Sequence, residues 1–107
     1  MTDDAAFRAL ANPTRRHLLH LVRDRARPVG ALAAEVGGSQ PAVSQHLAVL
    51  RGAGLVEVEA RGRERLYRAD HEALAGLRDY FDEYWTSSLD RLARAAVRRV
   101  DVRGVAS

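Results

Sequence analysis

The sequence contains no cysteine, no lysine, and only one methionine and one tryptophan. Without cysteine there can be no disulfide, no thiolate metal site and no thiol redox sensing, so three sensing chemistries are excluded together. Without lysine, all 17 cationic side chains are arginine. Arginine is the better bidentate partner for phosphate and for guanine edges, although a GC-rich genome gives the same bias without selection for binding. No apolar run approaches the roughly 20 residues needed to span a bilayer, and the opening Met1-Thr2-Asp3-Asp4 is acidic where a signal peptide would be basic. A cytoplasmic protein with no membrane partner is expected. Internal repeats, low-complexity tracts and long linkers are also lacking, so 1–107 reads as one domain.

What is present fits an ordinary globular domain: 107 residues, 47% hydrophobic, 29% charged, with a formal net charge of +3. A chain this short buries only about 60 to 70% of its unfolded surface, so pairing with a second copy would supplement a marginal stability.

Asp3 to Ala11 reads as a short helix carrying Phe7 and Leu10. It is broken at Asn12-Pro13, where Asn12 suits an N-cap and Pro13 the first helical position. A second helix is predicted from Pro13 to about Asp24, with Leu18, Leu19, Leu21 and Val22 on its apolar side. Pro28 biases Arg27 towards an extended conformation. A one-to-two-turn helix then runs from Val29 to Val36 and closes at Gly37-Gly38. Ser39 is the next N-cap, and a helix to about Gly52 carries Val43, Leu47 and Leu50 at i, i+4 and i+7. Two short helices joined by a glycine-containing turn form a helix-turn-helix pattern over about 29–53.

Leu55-Val56-Glu57-Val58-Glu59 alternates with period two, and Arg65-Leu66-Tyr67-Arg68 resumes the pattern beyond Gly62. This predicts a hairpin over about 55–69 with a basic tip. From about 72 to 101 the apolar spacing is helical again, through Leu74, Leu77, Phe81, Tyr84, Trp85, Leu89 and Leu92. Such a helix is about 45 Å long, more than a monomer of this size can cover, which points to a second chain over the rest. The fold class is therefore mainly α with a small β-hairpin (α+β).

At this point the ordered segments carry a resemblance. Leu10-Ala11-Asn12-Pro13-Thr14-Arg15-Arg16, Val29-Gly30-Ala31-Leu32-Ala33, Ser39-Gln40-Pro41-Ala42-Val43-Ser44-Gln45-His46-Leu47 and Leu50-Arg51-Gly52-Ala53-Gly54-Leu55-Val56 together resemble the arsenic-repressor (ArsR) family. The last helix, with Tyr80-Phe81-Asp82-Glu83-Tyr84-Trp85 and Leu89-Asp90-Arg91-Leu92, looks like the branch that includes autorepressors of small operons rather than the metal-sensing branches. Gly38 departs from the family, which usually has an apolar residue there, and Ala31 stands where a charge is common. The resemblance implies a winged helix-turn-helix regulator of transcription, with the N- and C-terminal helices forming a dimer interface and two protomers on a short palindromic operator.

It also implies that the helix starting near Gln40 is the recognition helix. Relative to the Val43, Leu47 and Leu50 stripe, Ser44, Gln45 and Ala48 point away, while Ser39, Gln40, Pro41 and Ala42 crowd the N-terminal end. Gln45 or Gln40 suits adenine N6 and N7, and Ser44 suits a base or a phosphate. His46, on the flank of the stripe, is open between a phosphate contact and a half-buried histidine bonded to backbone. Arg61, Gly62, Arg63 and Arg65 at the hairpin tip bring positive charge to phosphates or a minor groove, a contribution to affinity more than to sequence choice. The candidate dimer interface is Phe7, Leu74, Leu77, Phe81, Tyr84, Trp85, Leu89 and Leu92.

No metal or cofactor is expected. His17 and His20 stand at i, i+3, but Leu18, Leu19 and Leu21 around them favour ordinary surface or core-edge roles. Asp79, Asp82, Glu83 and Asp90 have only His71 at the far start of their helix, so the two-chain carboxylate-and-histidine zinc site of some relatives lacks its partners. Tyr80, Tyr84 and Trp85 fit a core stripe better than a small-molecule pocket, so an effector is allowed but not indicated. Ser39, Ser44, His46, Asp70 and Asp90 form no hydrolase, phosphate-loop or zinc-protease motif, and an enzyme is not expected. The competing reading is a winged-helix module that binds protein without reading DNA, which would favour acidic or apolar residues where Ser44, Gln45 and the arginines stand.

Overall fold

The computed structural model describes residues 3–103, apart from the side chains of 3, 84, 85 and 98–103. The chain divides into two compact units, Met1–Ala75 and Gly76–Ser107. The elements are α1 (Asp3–Leu10), α2 (Pro13–Leu21), β1 (Arg27–Pro28), α3 (Val29–Val36), α4 (Gln40–Gly52), β2 (Val56–Arg61), β3 (Glu64–Ala69) and α5 (His71–Arg103).

The break between α1 and α2 is held from both sides. The Asn12 side chain accepts from Arg15 N at 3.1 Å, which caps the start of α2. Arg15 donates from Nε to Ala9 O at 2.6 Å and from Nη2 to Arg8 O at 3.0 Å, and Arg16 donates to Leu10 O at 2.8 Å. Two guanidinium groups thus satisfy the carbonyls that the last turn of α1 leaves open, where positive charge also suits the helix dipole.

Helix α2 stops at Leu21, three residues short of the end its apolar periodicity predicts. The cause is tertiary: Ala69 N at the end of β3 donates to Val22 O at 3.0 Å, pulling that carbonyl out of the helical ladder. The chain then reaches β1, an element that sequence periodicity does not reveal. It pairs antiparallel with β3, Arg27 opposite Tyr67 and Pro28 opposite Leu66, in a three-stranded sheet of order β1-β3-β2. Pro28 has no N–H to donate, so an edge strand is the place where it fits.

Gly37 ends α3 in the left-handed region at φ 73°, and its N–H and that of Gly38 both donate to Ala33 O. Only Gly37 needs that freedom. A Cβ added to Gly38 would stand 3.5 Å from Val43 Cγ2 and 3.9 Å from Val36 Cγ2, ordinary van der Waals distances. Gly38→Ala should therefore stabilise the protein by about 0.4 to 1 kcal/mol, mainly by restricting the unfolded chain. Urea unfolding at fixed protein concentration would show it as a raised midpoint with unchanged slope. A lowered midpoint would mean that the turn needs glycine at both positions.

Across the core of the first unit, Leu18, Val22, Leu32, Val43, Leu47, Leu50 and Leu55 are at most 1% exposed. Each buried side chain of this size contributes on the order of 1.5 to 3 kcal/mol. The consequence for function is rotational: with Val43, Leu47 and Leu50 turned inward, the opposite side of α4 has to face solvent.

Candidate nucleic-acid interface

Ser39 caps α4, its Oγ accepting from Ala42 N at 3.2 Å, so one of the hydroxyl's two lone pairs is spent and its proton and second lone pair remain to offer a ligand. Gln40, Pro41, Ala42 and Gln45 are exposed, and Ser44 and His46 are half-buried. The two glutamines differ in setting. An ideal Cβ on Gly30 would stand 3.4 Å from Gln40 Nε2, so the Gln40 amide lies over the first turn of α3. Gln45 is exposed on α4 and makes no side-chain hydrogen bond among the described residues.

In the hairpin, Arg61 pairs with Glu64 across a two-residue turn, Gly62-Arg63. Gly62 takes φ 63°, and among the described residues no non-glycine has positive φ. Positive φ at the first turn position alone is the type II′ pattern, which glycine there permits and which matches the twist of the strands.

The register separates the basic residues of the wing. Glu57 opposite Arg68 and Glu59 opposite Leu66 put Glu57, Glu59 and Arg61 on one face of the ribbon. Val58 opposite Tyr67 and Ala60 opposite Arg65 put Tyr67 and Arg65 on the other. On the first face the charges are paired: Arg68 Nη2 to Glu57 Oε1 at 2.9 Å and Arg61 Nη2 to Glu59 Oε1 at 3.6 Å. Among the described residues, Arg63 and Arg65 have no ion-pair partner.

Residues 28–31, Ser44 of α4, and Arg63, Glu64, Arg65 and Tyr67 of the wing line an open cleft of about 620 Å³. The structure thus brings together Ser44, Arg63 and Arg65, named from the sequence, and does not place Arg61 with them. Sequence reasoning missed the start of α3, Glu64 and Tyr67. A signal existed for the first: Pro28 is the N-cap of α3 and supplies no side-chain acceptor, leaving the N–H groups of the first turn open. Tyr67 carried no local signal, since its position follows from pairing with β1 and β2.

Along α5, Phe81 is 42% exposed, Leu89 56% and Leu92 63%. At 100° per residue these three fall within an arc of about 80°. Leu77, expected on the same stripe, is 5% exposed within one chain. Leu74 and Phe7 are half-buried. Tyr80 and Val97 are also exposed, at 46% and 60%. The side chains of Tyr84 and Trp85 lie outside the described residues. Among the described residues no three His, Asp or Glu side chains come close enough to hold a metal ion, and no helix is long and apolar enough to cross a membrane.

Residues 10–59 match a family model described as a helix-turn-helix domain. Over 91 residues the chain is 42% identical to the HTH-type transcriptional regulator Rv2034 of Mycobacterium tuberculosis, with 85% of each covered. It is 48% identical over 66 residues to the HTH-type transcriptional repressor SmtB of the same organism, covering 61% of this chain and about half of that one (49%). Among solved structures, it is similar to the ArsR-like transcriptional regulator from Rhodococcus sp. RHA1, with TM-score 0.73 and 29% identity over 91% of this chain and 90% of that one. It is also similar to Mb0332 from Mycobacterium bovis, described as a homodimeric winged helix-turn-helix DNA-binding domain and a possible ArsR-family regulator. There the TM-score is 0.65, with 30% identity over 78% of this chain and 77% of that one.

Proposed function

This chain belongs to the ArsR family of helix-turn-helix transcriptional regulators, a non-enzymatic class, and from that premise we propose that it is a homodimeric, cytoplasmic repressor of a short palindromic operator. The observation that carries the reading is the alignment of two chemistries on one unit. The exposed end of α4 presents Gln40, Gln45 and Ser44, and the adjoining cleft adds two arginines without ion-pair partners among the described residues. Amide side chains suit base edges in a major groove, and guanidinium groups suit phosphates.

The homodimer is supported by the apolar arc of Phe81, Leu89 and Leu92 and by the homodimeric relative from Mycobacterium bovis. A two-fold pair would set the two α4 helices about 34 to 36 Å apart, one turn of DNA, on a pseudo-palindrome. Polymerase is then excluded by occupancy. Autorepression, in keeping with the branch the last helix resembles, needs only synthesis and dilution, and no effector is assigned.

The test is fluorescence anisotropy of the purified protein with DNA from upstream of its own gene and with a scrambled duplex of equal length, at two salt concentrations. Tight, two-protomer binding confined to the upstream DNA is expected. Equal weak binding to both would overturn autorepression at that site, and no binding to either would favour the protein-binding module.

A further inference from the structure

Resting on the DNA-binding reading above, we infer that one backbone phosphate of the bound strand seats in the cleft between the start of α3 and the wing. There it is held by Arg63, Arg65, Ser44 and the Tyr67 hydroxyl, while Arg61 takes no part. This divides a tip that looks uniformly basic in sequence.

Three observations carry it. The cleft of about 620 Å³ is open and has Ser44 on one wall and Arg63, Arg65 and Tyr67 on the other. Four of its polar residues have unspent side chains: among the described residues Arg63 and Arg65 have no ion pair, and neither Tyr67 nor Ser44 has a side-chain hydrogen-bond partner. At the first turn of α3 the N-cap Pro28 offers no competing side-chain acceptor and Gly30 carries no side chain, but the Gln40 amide stands 3.4 Å from where a Gly30 Cβ would be, so a phosphate reaches these N–H groups once that amide turns aside.

Arg61 differs in both geometry and charge. The strand register turns it to the face of the ribbon opposite Arg65 and Tyr67, where it lies 3.6 Å from Glu59. Such an exposed pair is weak, so the decisive point is the face. An arginine on the far side of a two-stranded ribbon does not reach a phosphate seated on the near side. Glu64 also borders the cleft, but as the residue opposite Arg61 its side chain belongs to the Arg61 face of the ribbon.

Phosphate contacts are independent of sequence, so the test needs no operator. Binding of the full chain to a random-sequence duplex is measured over a range of salt for the wild type, Arg61→Ala, Arg63→Ala, Arg65→Ala, the Arg63→Ala, Arg65→Ala double variant and Tyr67→Phe, with thermal melts to confirm folding. The slope of log K against log salt should fall by about 0.9 per lost phosphate, or nearly two per dimer, when Arg63→Ala and Arg65→Ala are combined, and by a measurable part of that for each alone. Affinity near physiological salt should drop about 30-fold for the combination. Arg61→Ala should leave the slope within experimental error. Tyr67→Phe should weaken binding several-fold at every salt concentration with the slope intact, because it removes a neutral donor.

Equal slope losses for Arg61→Ala and Arg65→Ala, an unchanged slope for Arg65→Ala, or unchanged affinity for Tyr67→Phe would each overturn the seat while leaving DNA binding in place. A folded wild type that binds no duplex even at low salt would instead remove the reading beneath it, and this proposal with it.

Discussion

A double substitution Leu89→Glu, Leu92→Glu should convert the protein to a monomer and lower operator affinity by more than about 100-fold, while the helix-turn-helix unit stays folded. The two leucines are 56% and 63% exposed within one chain, so the monomer's own fold does not depend on burying them. In a two-fold interface each appears twice. Covering four such side chains contributes on the order of 1.5 to 3 kcal/mol apiece as an upper bound, enough to account for a micromolar dimer at about 8 kcal/mol. Four carboxylates in the same seam would lose that term and repel one another. A monomer grips one half-site, and losing the linked second grip costs about 10² to 10⁴ in apparent affinity. Sedimentation gives the mass, circular dichroism the fold, and anisotropy the affinity. A variant of unchanged dimeric mass would move the interface off this arc.

Gln45→Ala should abolish most of the preference for the operator over a scrambled duplex while leaving binding to the scrambled DNA nearly unchanged. A good bidentate amide contact to adenine discriminates by about 1 to 3 kcal/mol, and a palindrome presents it twice, so the preference should fall by about 30-fold or more. Gln45 is the sharper test than Gln40, whose amide lies over Gly30 and has to leave that position to read a base. Ser44→Ala should behave differently. Its side chain borders the phosphate cleft, so both DNAs should weaken alike. Equal losses on operator and scrambled DNA for Gln45→Ala would refute base reading by this residue.

These two variants lie at opposite ends of what could be read from the chain. Gln45 was legible because Val43, Leu47 and Leu50 lie within a few residues of it and set the rotation of their helix; all three are buried. Leu89 and Leu92 were legible as apolar members of a helical stripe but not as left 56% and 63% exposed within one chain, because spacing along a helix shows which residues share a stripe and not which of them the fold buries.

The sequence by itself determined the local signals: Asn12 and Ser39 as caps, prolines in the first turns of α2 and α4, Gly62 at a tight turn, and the apolar side of α4. Each of these acts between residues at most four apart, so the pattern carries the whole of its physical cause. Tertiary structure alone decided where α2 ends, that β1 exists, and which wing arginines share a wall with Tyr67. Those outcomes hang on Ala69 meeting Val22, Arg27 meeting Tyr67 and Ala60 meeting Arg65. A hydrogen bond or strand register between residues far apart in sequence leaves no periodic trace in either segment. Which partner a backbone group finds is settled only when the core has brought the two stretches together.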